Sequence, residues 1–471
     1  MYCLKISAQP PARFYTTFGG NGIDVGYSAK QTLDRHYIVA GSTSSYGAGN
    51  SDVYLVKLDS MGQILWSKTF GGFLNDVGKS VIQLADSGYV VAGFTSSYGA
   101  GGYDAYIIRT DKLGTLIWQR TFGGTDWDFA NDLVYSPDGD IMVVGNTSSF
   151  GSGKKDGFVL KYDFLGNIVF QKYYGGAEDD ELKSIIRTND NFIATVGYTK
   201  SKGEINGDCY FLKLDLNGDT LFTKTFGGAF KDYANDLVQK ANDDYVICGA
   251  KTFSLNAKTS SVMYSLGQNG SFLWENNYQY DSNNDEEYSS VCNVNFQTSF
   301  NAYIRNIIIS GLKSQALMSV NINSGWPYKA NDSGGGDDDF TYSLEKTYDG
   351  GYIEVGTTNS FGALNGDIYF LRRDTSLINY TSIVGIKNNE QNQDNFIISY
   401  LQNNFILIKN FNQSESISEI KIYTIEGKEV KSIKFINEPE YTLDLNNLPE
   451  SFFLLEITTK NKLYHFKILK K

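Results

Sequence analysis

The sequence predicts an all-β protein: a seven-bladed β-propeller of 52-residue repeats, four antiparallel strands to a blade, followed by a small C-terminal antiparallel β-sandwich. Three observations predict it. An aromatic residue recurs at Phe14, Trp66, Trp118, Phe170, Phe222, Trp274 and Trp326, each 52 residues after the last. A glycine (Gly41, Gly93, Gly145, Gly197, Gly249) and an aspartate (Asp24, Asp76, Asp128, Asp180, Asp232) keep the same step. No segment between them sustains a helical period, which excludes βαβ units and leaves short strands at blade spacing.

Within the second repeat four aromatic and β-branched runs read as strands, at Asp76–Leu84, Tyr89–Thr95, Asp104–Thr110 and Thr115–Phe122. Turn chemistry separates them: Asp86-Ser87-Gly88, Tyr98 to Gly102, and Lys112-Leu113-Gly114. A second aspartate opens the third strand at Asp52, Asp104, Asp156 and Asp208, with Ser260 in the next copy. The strand after Phe-Gly-Gly is assigned as innermost and the Trp-x-Lys-Thr-Phe strand as outermost, by analogy with other propellers. Phe14–Phe18 is then an outermost strand, and Asp367–Asp374 is the third strand of a blade. The N-terminal strand is thus expected to complete blade seven and close the ring without a free edge. Blade six loses the Phe-Gly-Gly loop (Tyr278-Gln279-Tyr280) and gains about ten residues before an expected strand at Asn306–Gly311. Blade seven replaces that loop with an Asp- and Gly-rich run from Asp332 to Asp339.

The composition agrees: 48 Gly but 6 Pro, with 33 Tyr and 30 Phe, suits many strands joined by tight turns. A formal charge of -12 without a basic stripe argues against nucleic acid as a partner. No apolar run is long enough for a membrane-spanning helix. Cys3, Cys209, Cys248 and Cys292 form no Cys-x-x-Cys pair, and three of them fall in expected buried strands, so plain buried thiols are expected. Residues 1–13 lack a signal-peptide apolar run and read as a lead-in.

The repeat stops after Tyr380. Residues 381–396 are rich in Asn, Gln and Glu and read as a linker. Alternating segments resume at Phe405–Ile408, Ile417–Tyr423, Tyr441–Leu445, Phe452–Thr458 and Leu463–Leu469, as expected of a sandwich over 397–471. The runs Ile420–Val430, Leu443–Pro449, Phe452–Ile457 and Phe466–Lys471, in that order and flush with the chain end, resemble the C-terminal sorting domain of type IX secretion substrates. Two motifs depart from that family: Gln402-Asn403-Asn404 stands in place of its Asn-Pro, and Ser451-Phe452-Phe453 in place of its Gly-x-Tyr. The resemblance implies export through dedicated machinery acting on residues 397–471, and a secreted or cell-surface location. The first part also resembles the Phe-Gly-Gly propellers that precede such domains.

Catalytic chemistry finds few parts. The only histidines are His36, in an expected turn of blade one, and His465, in the sorting domain, so Ser-His, Cys-His and His-rich metal sites lack their components. A carboxylate pair of glycosidase type stays open. The aspartates recurring once per blade, however, suit turns and backbone caps better than a unique acid pair. Acids outside the repeat are the better candidates: Glu178 and Asp179 before Asp180-Glu181, then Asp285, Glu286 and Glu287, then Asp337, Asp338 and Asp339. All are expected on loops of one disc face. There they are either solvated loop charge or a set of oxygens for Ca²⁺, the one cofactor considered. Tyr46, Tyr98, Phe150 and Phe361 recur in Thr-Ser-Ser loops or their variants and suit packing between blades more than stacking on a ligand. Trp127 does not recur: its equivalents are Ile23, Asn75, Asp179 and Lys231. With Phe230 and Tyr233 nearby, it marks the candidate ligand patch. The expected function is non-enzymatic: an extracellular binding or scaffold propeller holding a glycan or protein. The alternatives are a carboxylate-dependent polysaccharide-degrading enzyme, and a repetitive adhesion protein without a discrete pocket.

Overall fold

The computed structural model describes residues 14–254, 258–278, 285–293, 300–309, 312–321, 327–332, 339–360 and 366–373, and in the C-terminal part 396–400, 405–410, 417–424, 429–438, 440–446, 452–459 and 463–469. Every regular element among them is a strand. The chain divides into two units, Met1–Asn379 and Tyr380–Lys471.

In blade two the strands are Asp76–Gln83, Tyr89–Thr95, Asp104–Thr110 and Leu116–Phe122, paired antiparallel in chain order and within one residue of the predicted bounds. The first unit contains seven such four-stranded sheets. Their first strands, Asp24–Gln31, Asp76–Gln83, Asp128–Tyr135, Asp180–Arg187, Asp232–Gln239, Glu286–Asn293 and Asp339–Lys346, lie one against the next in a closed circle. They are therefore the innermost strands of a seven-bladed propeller. Blade seven borrows its outermost strand from the N-terminus: Phe14–Phe18 pairs with Asp367–Arg373, Phe14 opposite Arg372 and Phe18 opposite Ile368.

Blade six corrects one expectation. Its second strand runs over Phe300–Ile309 rather than Asn306–Gly311, and its third over Leu312–Asn321. The two pair without a register shift from Phe300 opposite Asn321 to Ile309 opposite Leu312. Inserted residues lengthen both arms of one hairpin together, because antiparallel pairing extends without disturbing the rest of the sheet.

The hydrophobic core lies between blades. Clusters join blades one and two, two and three, three and four, four and five, five and six, and seven and one. Six of the aromatics that recur every 52 residues, Phe14, Trp66, Trp118, Phe170, Phe222 and Trp274, belong to these interfaces, and Trp326 lies outside the described residues. Trp118 is 8% exposed, stacks on Tyr162 of blade three at 6.3 Å, and donates its Nε1–H to the Phe164 carbonyl at 3.2 Å. Trp66 sits so close to the blade-two turn that a Cβ on Gly114 would meet its ring at 2.8 Å, and Gly114 has φ +76°. That turn position admits only glycine on both counts.

Two buried polar devices repeat with the aromatics. A cation on the third strand pairs with the turn aspartate of its own blade and reaches the next blade. Lys57 binds Asp34 at 3.1 Å and the Tyr89 hydroxyl at 3.0 Å, and Arg109 binds Asp86 at 2.6 Å and the Phe164 carbonyl at 3.1 Å. At the other edge, the acid opening each innermost strand, aspartate in all blades but the sixth, is buried. In blade three, Asp128 accepts from the Gly124 N–H at 2.9 Å, the Ser149 hydroxyl at 2.6 Å and the Thr147 hydroxyl. Its own N–H donates to the Tyr103 carbonyl of the preceding blade at 2.6 Å. The same set recurs at Asp76 and Asp180. The first glycine of each Phe-Gly-Gly is wedged between two carboxylates: a Cβ on Gly123 would overlap Asp104 and Asp128.

A third polar device follows the bulge in the innermost strands of blades three and five, where an aspartate takes the place that serine holds in the other blades. Asp132 accepts from Ser80 at 2.6 Å and from the Ile185 N–H at 3.0 Å, with the Ser184 hydroxyl 3.2 Å away, bridging blades two to four. Asp236 accepts from Ser184 at 2.8 Å, Ser290 at 2.8 Å and the Val291 N–H at 3.0 Å, bridging blades four to six. Burial pushes the Asp236 carboxyl up to about 6, against the pull of these donors.

In the C-terminal unit Phe396–Tyr400, Phe405–Asn410 and Glu440–Asp444 form one sheet. Glu429–Glu438, Ile417–Thr424, Phe452–Thr459 and Leu463–Leu469 form the other. Ile417, Ile420, Ile422 and Ile457 of the second sheet and Leu443 of the first are buried. Two strands go beyond the sequence reading, Phe396–Tyr400 and Glu429–Glu438. The second carries Val430, Ile433, Phe435 and Ile436 among lysines, a β-branched and aromatic run, whereas the first is short and abuts the polar linker.

Gly123→Ala is expected to destabilise the first unit by about 1–3 kcal/mol through overpacking, read as an earlier transition in urea. Asp236 holds its proton to higher pH folded than unfolded, where a carboxyl titrates near about 4. Ionising it therefore costs stability progressively from about pH 4 to its folded pKa. Asp236→Asn removes that slope. Thermal melts are expected to show the variant gaining on the parent protein between pH 4.5 and 7 (approximate settings that bracket the two pKa values).

Candidate functional site

The circle of innermost strands encloses a central channel, and the alternation of each strand decides what lines it. The residue before each opening acid forms a first tier at the mouth: Ile23, Asn75, Trp127, Asp179, Lys231 and Asp285. The residue after it forms a second tier: Val25, Val77, Phe129, Glu181, Tyr233, Glu287 and Phe340. The residue at the bulge forms a third: Tyr27, Lys79, Asn131, Lys183, Asn235, Ser289 and Tyr342. Lys79 of blade two feels the charges of Glu181 and Lys183 of blade four, as expected for side chains facing a common space.

The tiers differ from one side of the channel to the other. Blades seven, one, two and three supply an aromatic wall. Tyr342 lies 4.6 Å from Phe340 and 4.7 Å from Tyr27, and the Lys79 ammonium sits 3.5 Å above the Tyr27 ring. Phe94 packs edge-on to Phe129 at 4.9 Å and to Tyr103 at 5.3 Å, and Tyr103 meets Trp127 at 6.0 Å. Trp127 is 59% exposed at the mouth end of this chain of rings. Blades four to six supply a polar wall. Lys183 donates to Asn235 at 2.9 Å and lies 4.5 Å over the Tyr233 ring. Glu181 pairs with Lys155 at 3.2 Å, and Glu287 accepts from the Tyr233 hydroxyl at 3.1 Å and from Asn235 at 3.3 Å.

The electrostatics follow from burial and crowding. Burial, with Lys183 adding to it, lowers Lys79 to about 8 despite Glu181. Burial and then the Lys183 charge also lower Lys231. Burial pushes Glu181 up, but Lys183, Lys155 and its hydrogen bonds outweigh that and hold it below the usual carboxylate range. Burial and Glu287 raise Tyr233.

The structure redistributes the expected site residues. Trp127 and Tyr233 both belong to the channel, on opposite walls. Phe230 is half-buried in the loop before Asp232 and makes no ring contact with either. The acids do not form one exposed set. Glu286 and Asp339 are buried and occupy the recurring position: Glu286 stands opposite Ile307 as Asp232 stands opposite Lys251, and Asp339 accepts from Thr358 and Ser360. Insertions around them hid that equivalence in the sequence. Glu178 pairs with Lys154 at 2.7 Å and Asp285 with Lys258 at 2.8 Å, both on the surface. Asp179 is at the mouth and Glu287 inside the channel, while Asp337 and Asp338 lie outside the described residues. Among the described residues no three of His, Cys, Asp and Glu gather as a metal site. Tyr46 and Tyr98 brace the blades, their hydroxyls donating to the Gly19 and Gly71 carbonyls at 2.6 Å. Sequence reasoning missed Lys79, Lys183, Tyr103 and Phe129. The available signal was variation at a repeat position, since residues 27, 79, 131, 183 and 235 read Tyr, Lys, Asn, Lys, Asn.

Comparison with known proteins agrees with both parts of the chain. Residues 393–471 match the secretion system C-terminal sorting domain, and residues 33–64 match a β-propeller domain of unknown function, DUF5122. A regulatory protein of Caulobacter vibrioides, FlaEY, is 27% identical over 258 residues, a match that takes in 47% of this chain and 26% of that protein. Among solved structures, the Neurospora crassa Pan2 WD40 domain aligns with 76% of this chain and 95% of its own at 11% identity and a TM-score of 0.45. The polysaccharide lyase Uly1 aligns with 78% of this chain and 91% of its own at 11% identity and a TM-score of 0.44. With its repeated four-stranded blades and its matched C-terminal domain, the chain is a type IX secretion substrate, a β-propeller exported to the cell surface or the extracellular space.

Proposed function

We propose that the propeller is a glycan-binding module that engages its ligand at the mouth of the central channel. The observation that carries this reading is the continuous row of rings from exposed Trp127 through Tyr103 and Phe129 to Phe94. It breaks the repeat and offers flat apolar surface beside polar groups, the combination that pyranose rings recognise by stacking and hydrogen bonding. Binding is favoured over hydrolysis because Glu181 is held ionised by its lysines, and both Asp236 oxygens are taken up by backbone and serine donors. Neither is placed as a free proton donor. Trp127→Ala is expected to weaken glycan binding by roughly tenfold or more while leaving the melting temperature unchanged, since the ring is mostly exposed. A glycan-array screen of the full chain, parent against variant, checks this. Equal binding by both would remove the aromatic wall from the function.

A further inference from the structure

We propose that the ligand of this channel is anionic, a sugar chain carrying carboxylate or sulfate groups, bound by Lys183 and Lys231 of the polar wall together with Lys79, which projects from blade two over the Tyr27 ring. The inference rests on the glycan reading above and specifies its chemistry.

Three lysines reach the channel, Lys79 from blade two and Lys183 and Lys231 from the polar wall, where they stand among Asp179, Glu181, Asp285 and Glu287. Lys79, Lys183 and Lys231 have no carboxylate within ion-pair distance among the described residues. Of the acids near them, Glu181 is engaged by Lys155 and Glu287 by Tyr233 and Asn235, and Asp179 at the mouth acts on Lys231 without forming an ion pair with it. Lys79 rests on the Tyr27 face and Lys183 on the Tyr233 face, with Lys231 5.5 Å from the latter ring. Elsewhere the fold neutralises its buried cations: Lys57, Arg109, Lys161, Lys213 and Arg372 each have an aspartate. Partly buried ammonium groups held in no direct ion pair are costly, the Lys183 charge adding to that cost at Lys79 and Lys231, and an anion seated among them relieves it. Their surroundings are asymmetric in the right way. The rings suit the apolar face of a pyranose, and the ammonium groups, Lys79 beside the rings and Lys183 and Lys231 across from them, suit a substituent that projects from its edge. The lysines occupy tiers one and three, so a chain entering past Trp127 meets Lys231 first and Lys79 deeper.

The test is calorimetric binding of the full-length chain to oligogalacturonate and to sulfated galactan oligomers, each beside its neutral counterpart, carboxyl-reduced or desulfated. The charged member of at least one pair is expected to bind about tenfold tighter, with affinity falling as salt rises. Which pair responds distinguishes carboxylate from sulfate. Lys79→Met and Lys183→Met, which keep the aliphatic stems, are expected to reduce charged binding to the neutral level. Lys231→Gln, at an exposed position, serves where the deeper variants fail to fold. A second readout needs no sugar: inorganic sulfate is expected to slow acylation of Lys79 near pH 8. Equal binding of charged and neutral oligomers, or affinity indifferent to all three lysines, overturns the anionic ligand; if binding then still depends on Trp127, the glycan reading stands. Protection of Lys79 by sulfate without binding of any oligomer supports the anion site and overturns the glycan reading. Neither binding nor protection overturns both.

Discussion

The buried acid at the head of each innermost strand, an aspartate in six blades and Glu286 in the remaining one, is the contact on which the propeller depends. It solves a problem that every blade junction creates. Where the chain leaves one outermost strand and dives to the next innermost one, it exposes backbone donors that no sheet can pair. In blades two, three and four the carboxylate takes up the N–H of the second glycine of Phe-Gly-Gly together with a serine and a threonine hydroxyl. The backbone N–H of the same residue is spent on the preceding blade. One residue thus fixes the loop, its own blade and the junction. The glycine pair follows from it, because the space between successive carboxylates leaves no room for a side chain.

The rest of the ring's stability comes from apolar layers between blades. Each layer joins two neighbours, so a blade needs to match only the faces on either side. This explains how blade six lengthens a hairpin by several residues and still lets blade seven resume the pattern. It also explains why the N-terminal strand closes the circle: with Phe14 packed against Tyr37 and Phe370, blade seven acquires its fourth strand and blade one its outer neighbour.

Because the structural duties fall on a few positions, the channel-facing positions are free to differ. Each repeat contributes the same backbone and a different side chain, and the result is a channel with aromatic rings on one side and charged or amide groups on the other. A ring of equivalent blades therefore has an asymmetric interior. Export attaches to this independently through the C-terminal domain, whose two sheets share no repeat with the propeller.

The sequence by itself determined the repeat length, the four strands of a blade, the number of blades, the closure by the N-terminal strand and the sorting domain at the end. These were legible because burial imposes periodic constraints on residue type, and a constraint repeated every 52 residues is visible without coordinates. Trp127 and Tyr233 stood out for the converse reason, as departures from the period or aromatic surface beside it. Tertiary structure alone decided that Glu286 and Asp339 are recurring structural acids, since insertions displaced them from the expected step and only strand register restored it. It alone brought Lys79, Lys183 and Lys231 of blades two, four and five toward one space. Residues separated by one or two whole repeats become neighbours only when the ring closes, and no local pattern in the chain records that distance.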